Sequence, residues 1–323
     1  MLVSRIRACS IAPSVPESPV VLVATDDAGW HGRHLDAALI ARGCEPRTVS
    51  LRDCRIDLSR PFGLVIPGFE HAPDGLPQAV FVRGISGGSL EQIVLRLDVL
   101  HALQALGVAV FNHGRAIEKS VDKALTSFLL HRAGIPTPPT WACESREQAQ
   151  AVVDIETASG HGLVIKPLFG SQGIGVQRVV ERQLPPPEEL RHAYYLQRFV
   201  DTSKAGWHDF RVFVIGRTAV AAMIRRGTDW ISNVAKGARC EAVPAEGELA
   251  RLAVDAAAAL DMDYAGVDLI RDRDGRLLVV EVNGIPAWRG LQSVCGFDVA
   301  QRLVDQLLLP TLLGHAALAS AAP

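Results

Sequence analysis

Two apolar runs on either side of Asp274-Gly275 constrain the fold of this chain more than any other feature. An Asp-Gly dipeptide between apolar runs is a strong signal for a β-hairpin. If this dipeptide is the centre of the turn, each residue before it faces the residue that lies equally far beyond it. Asp268 then faces Glu281, and the alternation of side chains along a strand places Asn283 on the same face as Glu281.

Two like charges that face each other destabilise a hairpin, and the Val, Leu and Ile residues around them increase that cost. A cation is therefore expected between them. Two carboxylates and an amide oxygen form a donor set that suits Mg²⁺, which completes its shell with water and nucleotide phosphates. We expect Asp268, Glu281 and Asn283 to be magnesium ligands. The alternative is a solvated face on which the two carboxylates repel each other weakly.

A glycine loop at Gly84-Ile-Ser86-Gly-Gly88 matches the nucleophile-elbow pattern, with a predicted strand at 79–82 before it and a predicted helix at 89–106 after it. In this interpretation Ser86 is the nucleophile of a serine hydrolase. A tight turn or a substrate-facing loop is the alternative. We rank the hydrolase second because it leaves the paired carboxylates unexplained.

A second glycine loop runs from Lys166 through Gly170 and Gly173 to Gly175. The β-branched residues after it predict a strand, so the glycines lie at the tip of a β-hairpin, whereas a dinucleotide fingerprint must open a helix. Such a tip can close over a polyphosphate with its backbone N–H groups while Lys166 supplies a positive charge. An ordinary β-turn is the alternative.

Composition excludes several classes of protein. The chain has 323 residues, 48% of them hydrophobic, and a formal net charge of −2, which argues against binding nucleic acid through bulk positive charge. No apolar run reaches the roughly 18 to 20 residues needed to cross a bilayer. The cysteines are scattered, which excludes a zinc ribbon or a disulfide framework. We expect a cytoplasmic protein with neither a nucleic-acid nor a membrane partner.

The order of predicted elements divides the chain into an α/β part and an α+β part. Strands alternate with helices over 20–116, which predicts a small open parallel sheet. In the helix at 89–106, Leu90, Ile93, Val94, Leu97 and Leu100 lie on one stripe. A continuous helix is predicted over 118–132, followed by short strands. The predicted divisions are a flexible arm at 1–19, an N-terminal domain at 20–116, a lid at 117–190, a catalytic domain at 191–310 and a tail at 311–323.

Several short motifs occur in an order that is more specific than any one of them. They are Ser120-Val-Asp-Lys123, Gly134-Ile-Pro-Thr-Pro138, Val164-Ile-Lys-Pro with Gly170 to Val176, Asp209-Phe-Arg-Val-Phe-Val-Ile-Gly216, Ser232-Asn233, Tyr264-Ala-Gly-Val-Asp268 and Glu281-Val-Asn283. In this order the chain resembles an ATP-grasp ligase of the RimK type, over residues 20 to about 308.

The resemblance implies the ATP-grasp fold, with ATP between a small lid domain and a C-terminal catalytic domain. It implies two ions, Mg²⁺ or Mn²⁺, held by Asp268, Glu281 and Asn283, and it places Arg211 at the transferring phosphoryl group or the acyl phosphate. The nucleotide-binding residues that it implies are Lys123, Lys166, Gly170, Ser171, Gln172, Gly173, Gly175, Gln197, Arg198, Phe199, Val200, Asp209, Ser232 and Asn233.

The reaction implied by the resemblance joins a carboxylate to an amine. ATP phosphorylates the carboxylate, and the amine, typically that of L-glutamate in this family, attacks the acyl phosphate to give an amide, ADP and phosphate. Arg83, at the end of a predicted strand, is the candidate for gripping a substrate carboxylate. A surface or salt-bridged arginine is the alternative. The family also implies a homo-oligomer.

The acceptor is suggested by the stretches 82–89 and 120–134, which resemble a branch encoded with tetrahydromethanopterin-dependent one-carbon metabolism. That resemblance implies a pterin or related cofactor as the acceptor of glutamate. Trp207, Trp230 and Trp288 are candidate stacking surfaces for a flat ring, and core or turn tryptophans are the alternative. A protein or peptide C-terminus is the alternative acceptor, although Arg198 stands at a hinge position often occupied by an acid, and Ile231 stands where RimK itself has a basic residue.

Overall fold

The computed structural model describes residues 18–70, 75–170, 173–231, 234 and 237–313. Nearly all of the predicted arm and tail therefore lies outside the described residues. The chain folds into three main sheets and a small two-stranded one. The N-terminal sheet is parallel, with the order β2-β1-β5-β6, as the alternation of strands and helices predicts.

The N-terminal elements follow one another in the order of an open α/β domain. They are β1 (Val20–Ala24), α1 (Gly29–Ile40), β2 (Glu45–Val49), β3 (Arg55–Ile56), β4 (Leu64–Val65), β5 (Ala79–Val82), α2 (Leu90–Ala105) and β6 (Ala109–Phe111). Strands β3 and β4 pair with each other alone. The buried apolar residues of β1 and β5 form the centre of this sheet, which explains why their sequences read as unbroken apolar runs.

Helix α2 turns its first apolar residues away from the core. Ser89 caps the helix in a capping box with Gln92, so the helix starts where the sequence predicts. Its buried face includes Val99 and Leu100, whereas Leu90 is 74% exposed and Val94 is 43% exposed. The predicted stripe is therefore buried only toward the end of the helix.

The predicted continuous helix at 118–132 is wrong. The structure has two helices, α3 (Gly114–Val121) and α4 (Lys123–Arg132), which meet at Asp122. Asp122 has an extended backbone, and its side chain accepts a hydrogen bond from the backbone N–H of Leu125. This N-cap starts a new helix and sets Lys123 at its first position.

The middle of the chain forms an antiparallel sheet with one helix, α5 (Arg146–Ala158), packed against it. Its strands are β7 (Thr140–Cys143), β8 (Leu163–Lys166), β9 (Gln177–Arg178) and β10 (Tyr194–Arg198), in the order β7-β10-β8-β9. We call α5 and this sheet the lid. Strand β10 lies beyond the division predicted at 190, yet it pairs with β7 and β8 of the lid.

The last sheet is antiparallel and has five strands. They are β11 (His208–Ile215), β12 (Thr218–Arg226), β13 (Arg239–Val243), β14 (Tyr264–Arg271) and β15 (Leu277–Asn283), in the order β13-β12-β11-β14-β15. Helix α6 (Gly247–Ala259) packs on this sheet through small residues such as Ala253 and Ala256, which lets it approach the strands closely. Helices α7 (Arg289–Gln292) and α8 (Val299–Leu303) follow, and α8 continues as a π-helical turn over Val304–Leu308.

The N-terminal and C-terminal sheets share one apolar core. Val21 and Phe81 of the first sheet belong to the same buried cluster as Phe213 and Tyr264 of the last. Asn112, which is fully buried, strengthens this contact: its amide donates to the carbonyl oxygens of Tyr264 (2.7 Å) and Gly284 (2.6 Å) and accepts from two backbone N–H groups. The lid has a separate small core.

Among the described residues, no helix combines the length and the apolar character needed to cross a membrane.

Candidate active site

The hairpin of β14 and β15 brings together the residues predicted as magnesium ligands. Asp268 faces Glu281 and Gly266 faces Asn283, which confirms the predicted pairing. The register shifts beyond Asp268, where Leu269 faces Val279. Between the bulge and the turn the register is therefore one residue off the prediction, and this β-bulge restores the pairing of the two carboxylates.

These carboxylates face a cavity of about 730 Å³ between the lid and the C-terminal sheet. The lid contributes Val164, Lys166, Gly170, Gly173 and residues 197–200 to its wall. The C-terminal sheet contributes Asp209, Arg211, Arg225, Asp268, Glu281 and Asn283. The cavity thus joins two sets of predicted site residues that are far apart in sequence.

Two arginines hold Asp268 within this cavity. Arg211 binds it through Nε and Nη2, the latter at 2.7 Å, and Nη2 of Arg225 lies 3.1 Å from it. Arg225 also forms a bidentate pair with Asp209 at 2.7 and 2.6 Å. Burial acts to raise the pKa of Asp268, but Arg211 and Arg225 outweigh it and hold the pKa below its usual value.

Glu281 is in a different environment from the carboxylate it faces. Among the described residues it has no hydrogen-bond or ion-pair partner, although its charge acts on both Lys123 and Lys166. Asn283 donates its amide N–H to the carbonyl of Gly266 (3.1 Å), which leaves its amide oxygen available. Oxygen donors of this kind suit Mg²⁺, so the residues present fit the ion that the sequence predicts.

Lys123 forms a hydrogen bond with the glycine loop, and Lys166 forms one within the lid sheet. Nζ of Lys123 donates to the carbonyl oxygen of Gly170 at 2.8 Å, and so ties the start of α4 to the glycine loop. Nζ of Lys166 donates to Oε1 of Gln197 at 2.7 Å. Burial lowers the pKa of Lys166 to about 8, against the opposing charge of Glu281. Both are cations that lack a protein carboxylate within salt-bridge distance among the described residues.

The glycine loop has the predicted hairpin geometry. Strands β8 and β9 on either side of it pair antiparallel. Gly175 has a φ of +73°, and a Cβ there would lie 2.7 Å from Cγ of Pro167, so no other residue fits this position without strain. Ser171 and Gln172 of this loop, and Ser232 and Asn233 farther along, lie outside the described residues.

Residues 197–200 form the edge of the cavity where the lid meets the C-terminal sheet. Arg198 is paired with Glu156 of α5, with Nη2 and Oε2 2.8 Å apart. Phe199 is packed by Trp207, by Trp230 and by the guanidinium of Arg178, 4.2 Å from its ring centre. Trp230 reaches the cavity wall, whereas Trp288 is fully buried and offers no stacking surface, contrary to the prediction.

Arg83 and Ser86 lie outside the wall of this cavity. The guanidinium of Arg83 stacks on Trp288, 4.3 Å from the ring centre, and donates to the carbonyl of Pro286 at 3.0 Å. Oγ of Ser86 donates to the carboxylate of Asp26, so its partner is an acid rather than the histidine of a hydrolase triad. The role predicted for Arg83 stays a prediction.

Among the residues of the cavity wall that sequence reasoning missed, three carry polar groups of particular interest: Arg225, His31 and Arg289. Arg225 and Met223 share a parity along β12 and both line the cavity, but Ala222 and Ile224 of the other parity are buried too, so strand alternation alone gave no signal. His31 gave no signal, because it reaches the cavity from the N-terminal domain.

Comparison with known proteins gives the class of this fold and site. The model of the RimK-like ATP-grasp domain matches residues 120–307. A tetrahydromethanopterin:alpha-L-glutamate ligase of Methanococcus maripaludis is 33% identical over 238 residues, or 72% of this chain and 79% of that protein. The protein of the same name from Methanocaldococcus jannaschii is 35% identical over 239 residues, or 71% of this chain and 78% of that protein.

A solved structure agrees on the fold. The ATP-grasp ligase PsnB, in complex with a phosphomimetic variant of minimal precursor, Mg and ADP, superimposes with a TM-score of 0.70 at 22% identity, over 91% of this chain and 99% of that one. The chain therefore has the ATP-grasp fold. It belongs to the RimK-like ATP-grasp family and is an ADP-forming carbon–nitrogen ligase. The serine hydrolase interpretation is wrong.

Proposed function

We propose that this ligase adds L-glutamate to a carboxylate of a pterin cofactor of the tetrahydromethanopterin type. The observation that carries the proposal is the sequence similarity, at 33% and 35% identity, to two ligases named for that acceptor and that amino acid. The wall of the cavity supports the chemistry, since it offers cations for phosphates and oxygen donors for a metal.

The nucleotide is proposed to lie between the lid and the C-terminal sheet. Lys123 and Lys166 would contact its phosphates, residues 197–200 and Trp230 would surround the adenine, and Asp209 would lie near the ribose. The glycines at 170, 173 and 175 would offer backbone N–H groups to the phosphates, together with Ser171 and Gln172; Ser232 and Asn233 complete the proposed set. The proposal is supported by Lys123, Lys166, Asp209 and residues 197–200, which line one cavity.

Two ions, Mg²⁺ or Mn²⁺, would be held by Asp268, Glu281 and Asn283. Bound there, they would neutralise negative charge on the phosphates during transfer. Arg211 already neutralises Asp268, and its guanidinium would stabilise the transferring phosphoryl group or the acyl phosphate beside it. Arg83 stays the proposed contact for a substrate carboxylate. Closure of the lid would exclude water from the acyl phosphate.

The test is to incubate the purified protein with ATP, Mg²⁺, L-glutamate and tetrahydromethanopterin, and to follow phosphate release and product mass. We expect phosphate release that needs both the acceptor and the amino acid, and a product heavier by one glutamyl residue. A parallel reaction replaces the pterin by peptides with different C-termini. Glutamylation of a peptide and not of the pterin would overturn the proposed acceptor and favour the protein-modifying alternative.

We also propose that the chain forms a homo-oligomer through the exposed apolar face of α2, which includes Leu90 and Val94. Exposed apolar side chains on successive turns of a helix are suited to pack against a second copy of the same face. Light scattering of wild type and Val94→Glu tests this. A smaller particle for the variant alone is expected, and equal masses for both proteins would contradict the proposal.

A further inference from the structure

We propose that Arg289 and His31 form the subsite that binds a carboxylate of the incoming amino acid. The inference rests on the proposed function, because it assigns part of the amine substrate of that ligase to a place in the cavity.

The chain segment that carries Arg289 continues directly from the proposed metal ligands. Asn283 ends β15, and Ile285, Ala287, Arg289 and Gly290 then line the same cavity. A substrate bound along this segment therefore lies next to the place where the acyl phosphate would form. The amine of an amino acid must reach that point, so its carboxylates must lie close by.

Arg289 is distinguished by its lack of a protein partner. Four arginines line the cavity within the described part of the chain: Arg198, Arg211, Arg225 and Arg289. The first three each pair with a carboxylate of the protein, namely Glu156, Asp268 and Asp209. Arg289 is exposed and has no such partner among the described residues. Its guanidinium is thus available for a carboxylate of a ligand, which it can bind in a bidentate manner.

His31 adds a neutral hydrogen-bond donor beside this cation. Its Nε2 accepts the backbone N–H groups of Trp288 (3.0 Å) and Arg289 (3.3 Å), so the ring is anchored to the same segment. Burial, together with the charges of Arg83, His34 and Arg289, lowers the pKa of His31 to about 4. The ring is therefore neutral at pH 7, and its proton lies on Nδ1, which has no partner among the described residues.

The charge around this subsite favours the chemistry of an attacking amine. Arg83 and Arg289 both place positive charge near His31, and neither forms an ion pair with a protein carboxylate among the described residues. Positive charge binds the carboxylates of an amino acid and, at the same time, lowers the pKa of its ammonium group. An amine that loses its proton more readily is the nucleophile that the acyl phosphate requires.

Three substitutions at two positions test the subsite. Arg289→Gln removes the cation, Arg289→Lys keeps the charge but not the bidentate geometry, and Arg217→Gln is the matched control, because Arg217 is exposed outside the cavity wall. We expect Arg289→Gln to raise the KM for L-glutamate by about 10- to 100-fold, as for loss of a hydrogen bond between charged groups. The KM of Arg289→Lys for L-glutamate should lie between those of wild type and Arg289→Gln. The Kd for Mg–ADP should change less than about twofold in all three.

A second measurement separates this inference from the identity of the acceptor. Saturation-transfer NMR measures binding of L-glutamate, L-aspartate and L-glutamine to the protein with Mg–ADP, without any turnover. Loss of that binding in Arg289→Gln and not in Arg217→Gln supports the subsite even if tetrahydromethanopterin is not the acceptor. An unchanged Kd and KM for the amino acid would overturn it, as would a rise in KM for the acceptor alone.

His31 is tested by His31→Gln and His31→Phe. Glutamine retains an acceptor for the N–H of Trp288 and a donor for the ligand, whereas phenylalanine retains neither. We expect weaker amino-acid binding in His31→Phe than in His31→Gln, with Mg–ADP binding kept in both as the sign of an intact fold. Equal amino-acid binding in the two variants would remove His31 from the subsite.

Discussion

Asp268 and Glu281 face each other across β14 and β15, yet the arginines of the site reach only Asp268. The protein therefore neutralises one member of a carboxylate pair and leaves the other to a partner from solution. Lys123 and Lys166 contribute positive charge near Glu281 but form no ion pair with it among the described residues. This asymmetry makes Glu281 the more informative of the two positions for a test of metal binding.

Replacing Glu281 by Gln is expected to remove the metal-dependent part of the stabilisation by nucleotide. A ligand at about 100 times its Kd stabilises a folded protein by roughly 2.7 kcal/mol. We expect ADP with Mg²⁺ to raise the Tm of wild type more than ADP alone, and this difference to vanish in Glu281→Gln. Glu144→Gln, at an exposed position, should behave as wild type. An equal metal effect in both variants would exclude Glu281 as a ligand.

Replacing Arg225 by Met is expected to destabilise the fold strongly, because it leaves Asp209 without its partner and removes one from Asp268. Breaking a buried ion pair in this way costs about 3–5 kcal/mol. Arg226→Met is the matched control, since Arg226 is the next residue along the strand and pairs with Glu241 on the exposed face. That change should cost less than about 1 kcal/mol. Urea denaturation of both variants compares them, and similar losses would contradict the importance assigned to the buried network.

The affinity for nucleotide is expected to fall as the pH rises above about 8, the pKa of Lys166 in the protein without ligand. Below that pH the lysine is charged both before and after phosphates bind, so binding takes up no proton. Above it, the free protein has lost the proton that the complex needs, and the affinity falls by at most about tenfold per pH unit. The Kd for ADP between pH 7 and 9.5 measures this. Lys166→Arg keeps its charge and should show no such fall, and a fall of equal size in this variant would assign the effect to another group.

Replacing Asp122 by Ala is expected to lower the free energy of unfolding by about 1 kcal/mol, through loss of the N-cap of α4. Asp122→Asn, which retains a side-chain oxygen acceptor, should lose much less. Thermal or chemical denaturation separates the two variants. Equal stability of all three proteins would show that the break between α3 and α4 does not depend on this cap.

The elements that the sequence predicts well are those whose pattern is local. Strand β5 and helix α2 begin and end within a residue or so of their predicted positions, because an unbroken apolar run and a capping residue define them. Helix α5 and strand β13 were not predicted, since their exposed faces interrupt the apolar pattern. The break at Asp122 was missed although Asp is a common N-cap, because helical residues continue on both sides of it.

The site could be predicted only in part, for a related reason. The pairing of Asp268 with Glu281 follows from turn chemistry within one hairpin. The contacts of Arg198 with Glu156, and of His31 with the backbone at Trp288, join elements that are distant in sequence. No periodicity relates such positions, so only the packed structure brings them together.

The division of the interior into separate cores sets the lid apart from the rest of the enzyme. Asn112 and the apolar cluster next to it join the first and last sheets into one rigid unit. The apolar cluster of the lid consists of residues between Trp141 and Leu196, so a hinge movement of the lid would leave the core of the two joined sheets buried. If the nucleotide binds where we propose, its exchange needs movement of the lid alone. The wall that carries His31 and Arg289 belongs to the two joined sheets, so such a movement would leave it assembled.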